Sequence, residues 1–215
     1  MKKNLFWLVV WGMAFGYLEA AVVVYLREIY YPEGFAFPLV IIEGRILMTE
    51  LLREAMTLLI MWSAVSLAYQ RVQSRIAAFI ILFGVWDIFY YIFLKLLLNW
   101  PENLGTWDIL FLIPLPWLGP VWAPVLVSIC FIYAGTTILL YNHQKHYFPF
   151  DKKFIIVELF AALLIIISFI LPGLSMFEQK SPEYFPWYIF LAGLFIGMRT
   201  FLTYIYRSKQ LSEKD

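Results

Sequence analysis

The chain has 215 residues, of which 63% are hydrophobic, 20% aromatic and only 14% charged, with a mean hydropathy of +0.78. Soluble domains run near half apolar and a quarter charged, so the bilayer is the expected solvent, and a formal net charge of +1 gives no reason to invoke nucleic acid. A single cysteine, Cys130, excludes an internal disulfide and a multi-cysteine metal site, and two histidines, His143 and His146, argue against a haem or multi-histidine iron centre.

The opening Met1-Lys2-Lys3-Asn4 and the apolar run behind it start like a signal peptide. The run continues to about Leu26, too long for the apolar part of such a peptide, and lacks a small-x-small cleavage site, so it reads as a retained first helix. Six segments approach the ~20 residues that a bilayer requires: roughly 5–26, 46–69, 76–97, 120–141, 154–172 and 187–206. Positive residues alternate between the loops. Lys2 and Lys3, then Arg71 and Arg75, then Lys145, Lys152 and Lys153, then Arg207, Lys209 and Lys214 mark one side. By the positive-inside rule both termini are cytoplasmic and the protein sits in the cell's inner membrane. The expected fold is all-α: one domain over 1–206, a polytopic bundle of six transmembrane helices, followed by a short polar tail over 207–215.

In the first span, Gly12-x-x-x-Gly16 is a packing motif that turns Glu19, seven residues after Gly12, into the bundle. The loop from Arg27 to Gly44 is rich in Tyr, Phe and Pro and reads as interfacial. The second span is the most informative. From Glu43 to Gln70 it is apolar enough to cross a membrane, yet at about 100° per residue Glu43, Glu50, Arg53 and Glu54 share roughly a third of its circumference. That face must meet protein, ligand or trapped water, because lipid cannot solvate it. Asp87 lies near the middle of the third span, with Trp86, Tyr90 and Tyr91 around it, and Lys95 snorkels at the outer end.

Between spans three and four, Pro101, Pro114, Pro116, Pro120 and Pro124 punctuate an apolar run from Leu104 to Leu118. The run is too short and too broken to span, so a re-entrant or interfacial lid is expected. Its Trp107-Asp108 echoes Trp86-Asp87, which points either to chance or to a shared local part, with Asp capping a helix or joining a polar site. His143 and His146 could share a helical face, but a solvated loop pair is the plainer reading. Glu158 in span five and Arg199 in span six have similar depth, and a structural ion pair between them is expected.

With ~1.5 Å rise per residue, Glu19, Glu50, Arg53, Glu54 and Asp87 reach one cluster in the outer half of the bundle. Trp86, Tyr90, Tyr91, Trp107 and Asp108 would line it. An ionised group at membrane depth costs roughly 2.5–3.5 kcal/mol, so crowded carboxylates with one arginine must be paired, protonated or bound to a cation. No metal ligand set and no specific cofactor is assigned. Three functions compete: a binding site for a cation, protons or a small or lipid-like ligand, with proton-coupled transport, which calls for a homodimer because no inverted repeat is visible; a membrane enzyme using paired carboxylic acids, by acid catalysis or a carboxylate metal site, on a lipid-like or isoprenoid substrate; and an accessory structural subunit. Glu50-x-x-Arg53-Glu54 loosely resembles the Glu-Glu-x-x-x-Arg of membrane CAAX-type proteases. The order differs and that family's intramembrane histidines are missing, so its activity is not carried over.

Overall fold

The computed structural model describes residues 2–40, 44–143, 148, 150–174, 177 and 181–212. Six helices are long and apolar enough to cross a membrane. They are α1 (Lys2–Tyr30), α2 (Gly44–Ala68), α3 (Val72–Leu98), α4 (Trp122–His143), α5 (Lys152–Gly173) and α6 (Trp187–Ser212). The six-helix bundle is the one read from hydropathy, and a multi-pass membrane protein fits it. The helices outrun their apolar windows. α1 continues to Tyr30, which puts Arg27 in its last turn rather than in a loop, and α6 continues to Ser212, through the stretch expected as a polar tail.

Local chemistry sets the ends. α3 stops where Asn99 turns left-handed at φ 52°, and the Lys95 ammonium donates to the carbonyls of Asn99 and Pro101, satisfying acceptors the helix leaves open. Pro124 falls in the first turn of α4, where its missing N–H costs no helical bond. Asp151 caps α5 by accepting from the Phe154 N–H, and the Tyr204 hydroxyl of α6 donates to the same carboxylate. Those two bonds to its charged form hold the Asp151 carboxyl below its ordinary range.

The proline-rich segment between α3 and α4 is a two-stranded antiparallel hairpin, an addition to the all-α expectation. β1 (Trp107–Phe111) pairs with β2 (Trp117–Pro120), Trp107 opposite Pro120 and Ile109 opposite Leu118, with an irregularity between Ile109 and Phe111. The Val121 and Trp122 N–H groups bond back to Thr106 and Leu104, joining the hairpin directly to α4. Gly119 lies against Phe169 and Phe185, and Trp117 stacks on Phe169 with centroids 6.1 Å apart. The two Trp-Asp sequences occupy a helix and a strand, and neither Asp caps a helix, so the echo is not a structural repeat.

The spine of the bundle is α3, between α1 and α4. Gly12 and Gly16 face it: a Cβ at Gly12 would come within 2.8 Å of the Val85 side chain, and one at Gly16 within 2.9 Å of the Trp86 carbonyl. The motif is therefore a packing surface, as expected. α2 packs mainly on α3, α5 and α6 pack on each other, and α5 packs on β2. The space left between α2, the α3–α4 floor and the α5–α6 pair is the cavity described next.

Candidate functional site

The cavity has a volume of about 1070 Å³ and takes side chains from all six helices and from the hairpin. Most of its wall is apolar: Phe83 and Trp86 of α3, Phe131 of α4, Ile165 of α5, Phe201 of α6 and Phe111 of β1. Charge is gathered toward the hairpin end.

There Arg53 of α2 binds two carboxylates. Its guanidinium donates to Glu50 Oε2 at 2.8 Å and also to Glu19 Oε1 of α1. Glu50 is the residue one turn back on the same helix, so this pair is dictated by helical spacing. Glu19 is brought in by the close approach of α1 to α3. Glu54 points the other way and accepts from the backbone N–H groups of Leu112 (2.8 Å) and Ile113 (3.2 Å), just past β1. Glu50 and Glu54 are buried, and Glu19 and Arg53 are partly buried. Asp87 of α3 is buried and accepts from the Ser128 hydroxyl of α4 at 2.8 Å. The five residues expected to form the cluster thus all line one cavity. Glu43, assigned to the same charged stripe, lies outside the described residues. The charged residues also tie α2 to α1 and to the hairpin.

A second charged group was not foreseen. Arg27 Nη2 donates to Asp108 Oδ1 of β1 at 3.2 Å, and both side chains are buried. The guanidinium carbon lies 3.6 Å from the Trp100 ring centroid and 4.3 Å from that of Phe35, a cation–π arrangement on both. Burial pushes the Asp108 carboxyl up to about 6 against the opposing pull of Arg27. Arg27 was read as a loop cation because the apolar run ends just before it; a helix carried one turn further would have placed it over the loop aromatics.

Of the expected lining residues, Trp86, Tyr90, Tyr91 and Asp108 face the cavity. Trp107 does not: it turns to Phe185, 6.3 Å between centroids, and the nearby cavity wall is built by Trp117. The expected Glu158–Arg199 pair is also absent. Arg199 is exposed, whereas Glu158 lines the cavity opposite Gly197, and its Oε1 has no hydrogen-bond partner among the described residues. Depth matched these two residues, but their helical faces do not. His143 is exposed at the end of α4 and His146 lies outside the described residues. Among the described residues no group of three or more His, Cys, Asp or Glu is arranged to hold a metal ion. Compared with known proteins, the chain matches no family model, no curated protein and no solved structure.

Proposed function

We propose that this is a multi-pass membrane protein whose acidic cluster binds the cationic head of an amphiphile, or protons in its place, while the hydrocarbon part occupies the cavity. The observation that carries the reading is a large apolar cavity lined by four carboxylates, Glu19, Glu50, Glu54 and Asp87, of which Glu19 and Glu50 share Arg53. Arg53 is already shared between two carboxylates, so the excess charge is negative and an anionic head is disfavoured. In a low-dielectric setting that excess favours a counter-cation or bound protons. Exchange of one for the other is the elementary step of proton-coupled transport. With both termini in the cytoplasm, the cluster and the hairpin lie in the outer half of the bilayer, opening to the periplasm or the outer leaflet.

A membrane enzyme is the second reading. Asp87 stands beside Trp86, whose ring stacks with Tyr90 at 6.4 Å and lies tilted against Phe83 at 5.3 Å, an arrangement in which a carboxylic acid could protonate an alkene next to cation-stabilising aromatic faces.

The test is photolabelling of the purified protein in lipid nanodiscs by a diazirine-bearing hexadecyl trimethylammonium probe. Wild type should be labelled, and Glu50→Gln/Glu54→Gln should lose roughly tenfold, about 1.4 kcal/mol of binding. Cys130 lines the same cavity, so its alkylation by a small maleimide should slow when the probe is bound. Unlabelled wild type, or a folded double variant labelled as well as wild type, would sink the proposal. Conversion of a polyprenyl substrate without head-group binding would favour the enzyme.

A further inference from the structure

The cavity contains a second polar station that the acidic cluster does not use. Arg27 sits eight residues beyond Glu19 on α1, roughly 12 Å of helix rise away. It meets Asp108 from the hairpin, and Tyr91 of α3 lies beside Trp100, which carries the guanidinium. Three side-chain atoms here make no hydrogen bond of normal geometry among the described residues, Arg27 Nη1, Asp108 Oδ2 and the Tyr91 hydroxyl, although the Tyr90 and Tyr91 hydroxyls both face the Asp108 carboxylate. Their residues are 8%, 2% and 6% exposed, and all three line the cavity. Buried polar atoms are nearly always bonded, and an orphan at the edge of a cavity is bonded by what enters the cavity. Arg27 has little freedom to turn away, because its guanidinium is held over both the Trp100 and Phe35 rings.

The chemistry of the occupant follows from the three atoms. The charges of Arg27 and Asp108 cancel. A carboxylate or phosphate head would be set against Asp108, and an ammonium against Arg27. A group that accepts from Arg27 Nη1 and donates to Asp108 Oδ2 at the same place satisfies both, and the Tyr91 hydroxyl can serve either side. A hydroxyl is the smallest such group. We infer that the Arg27–Asp108–Tyr91 station binds the hydroxyl head of an uncharged lipid, such as a long-chain alcohol, with its chain in the cavity. The inference rests on the same cavity as the reading above, but on different side chains. The two stations together suit a protein that accepts a neutral lipid beside a bound cation or proton.

The experiment compares three photoreactive C16 probes on the full-length protein in nanodiscs: the alcohol, its methyl ether and the trimethylammonium compound. The ether accepts a hydrogen bond but cannot donate one. Wild type should take the alcohol about fivefold better than the ether, the size of one hydrogen bond. Arg27→Met/Asp108→Leu, which removes the acceptor for the alcohol's proton without leaving a buried charge, should collapse that ratio toward one. A structural loss would lower both labels alike and leave the ratio unchanged, so the ratio decides whatever happens to Tm. An equal yield from alcohol and ether in wild type, or an unchanged ratio in Arg27→Met/Asp108→Leu, overturns the inference. Wild type that takes the ammonium probe but shows no preference for the alcohol overturns this inference and leaves the acidic-site reading standing. Wild type that takes the alcohol but not the ammonium does the reverse.

Discussion

The two buried arginines solve the same problem in different ways. Arg53 is shared between Glu19 and Glu50, and further carboxylates, Glu54 and Asp87, line the cavity beyond it. Among the described residues Arg27 has one carboxylate partner, two aromatic faces and an Nη1 without a hydrogen bond. The first station has more carboxyl groups than its one cation can pair, and the second has one cation to one carboxylate but polar atoms with no hydrogen bond among the described residues. What each lacks differs accordingly: a positive charge at the first, a donor–acceptor group at the second. Net charge and hydrogen-bond satisfaction are separate constraints, and a cavity wall can leave one open while closing the other.

The sharpest way to break this comparison is to remove one partner of the neutral pair. Arg27→Ala or Asp108→Asn leaves a buried charge uncompensated and should cost roughly 3–5 kcal/mol, read as a large fall in Tm by tryptophan fluorescence in detergent. Arg27→Met/Asp108→Leu should recover most of it; a double variant as unstable as the singles would mean that the aromatic stacking, not the charge balance, holds the hairpin. At the acidic station the loss should be smaller. Glu54→Gln keeps one carbonyl oxygen that can accept from both hairpin N–H groups, which share Oε2, but loses the charge assistance, so a cost of about 1.5 kcal/mol is expected, together with loss of ammonium labelling. Glu158→Leu should go the other way and raise stability by about 1 kcal/mol, read as a higher Tm, because a carboxylate whose Oε1 has no hydrogen-bond partner among the described residues is exchanged for apolar surface; a drop in Tm would reveal a partner for Glu158. The finest test is pH. The Asp108 carboxyl faces Arg27 of α1 and Asp87, Tyr90 and Tyr91 of α3, and is pushed up to about 6. A folded-state pKa above the unfolded value adds stability at low pH that is lost as pH rises toward 6. Wild type should therefore gain Tm relative to Asp108→Asn between pH 6.5 and 4.5, and the difference should be flat from pH 7 to 8.

The helices were legible because twenty apolar residues in a row have one common solution, and because the Glu50/Arg53/Glu54 spacing fixes a helical face whatever surrounds it. The hairpin was not legible. Trp107–Phe111 and Trp117–Pro120 lack clean alternation, since the hairpin is enclosed by helices on one side and by the cavity on the other, and the prolines that mark its turn also suit a broken re-entrant segment. Arg27 was lost to a helix end misplaced by one turn. Glu158 was misassigned because depth along the axis was used without azimuth. Its own helical face, Ala161, Ala162 and Ile165 at spacings of three, four and seven residues, runs along the cavity and could have been read from the register.

The prolines of the hairpin segment have a consequence for how a β-turn survives among membrane helices. Each proline removes one backbone N–H that would otherwise need a partner where water is scarce. Pro114 and Pro116 strip donors from the turn, and the donors just before it, on Leu112 and Ile113, are taken by the Glu54 carboxylate. The turn is thus largely dehydrated in its covalent structure before it folds. Replacing Pro114 or Pro116 by alanine would return to the chain a backbone donor that needs an acceptor, so this loop is expected to tolerate substitution less well than loops usually do.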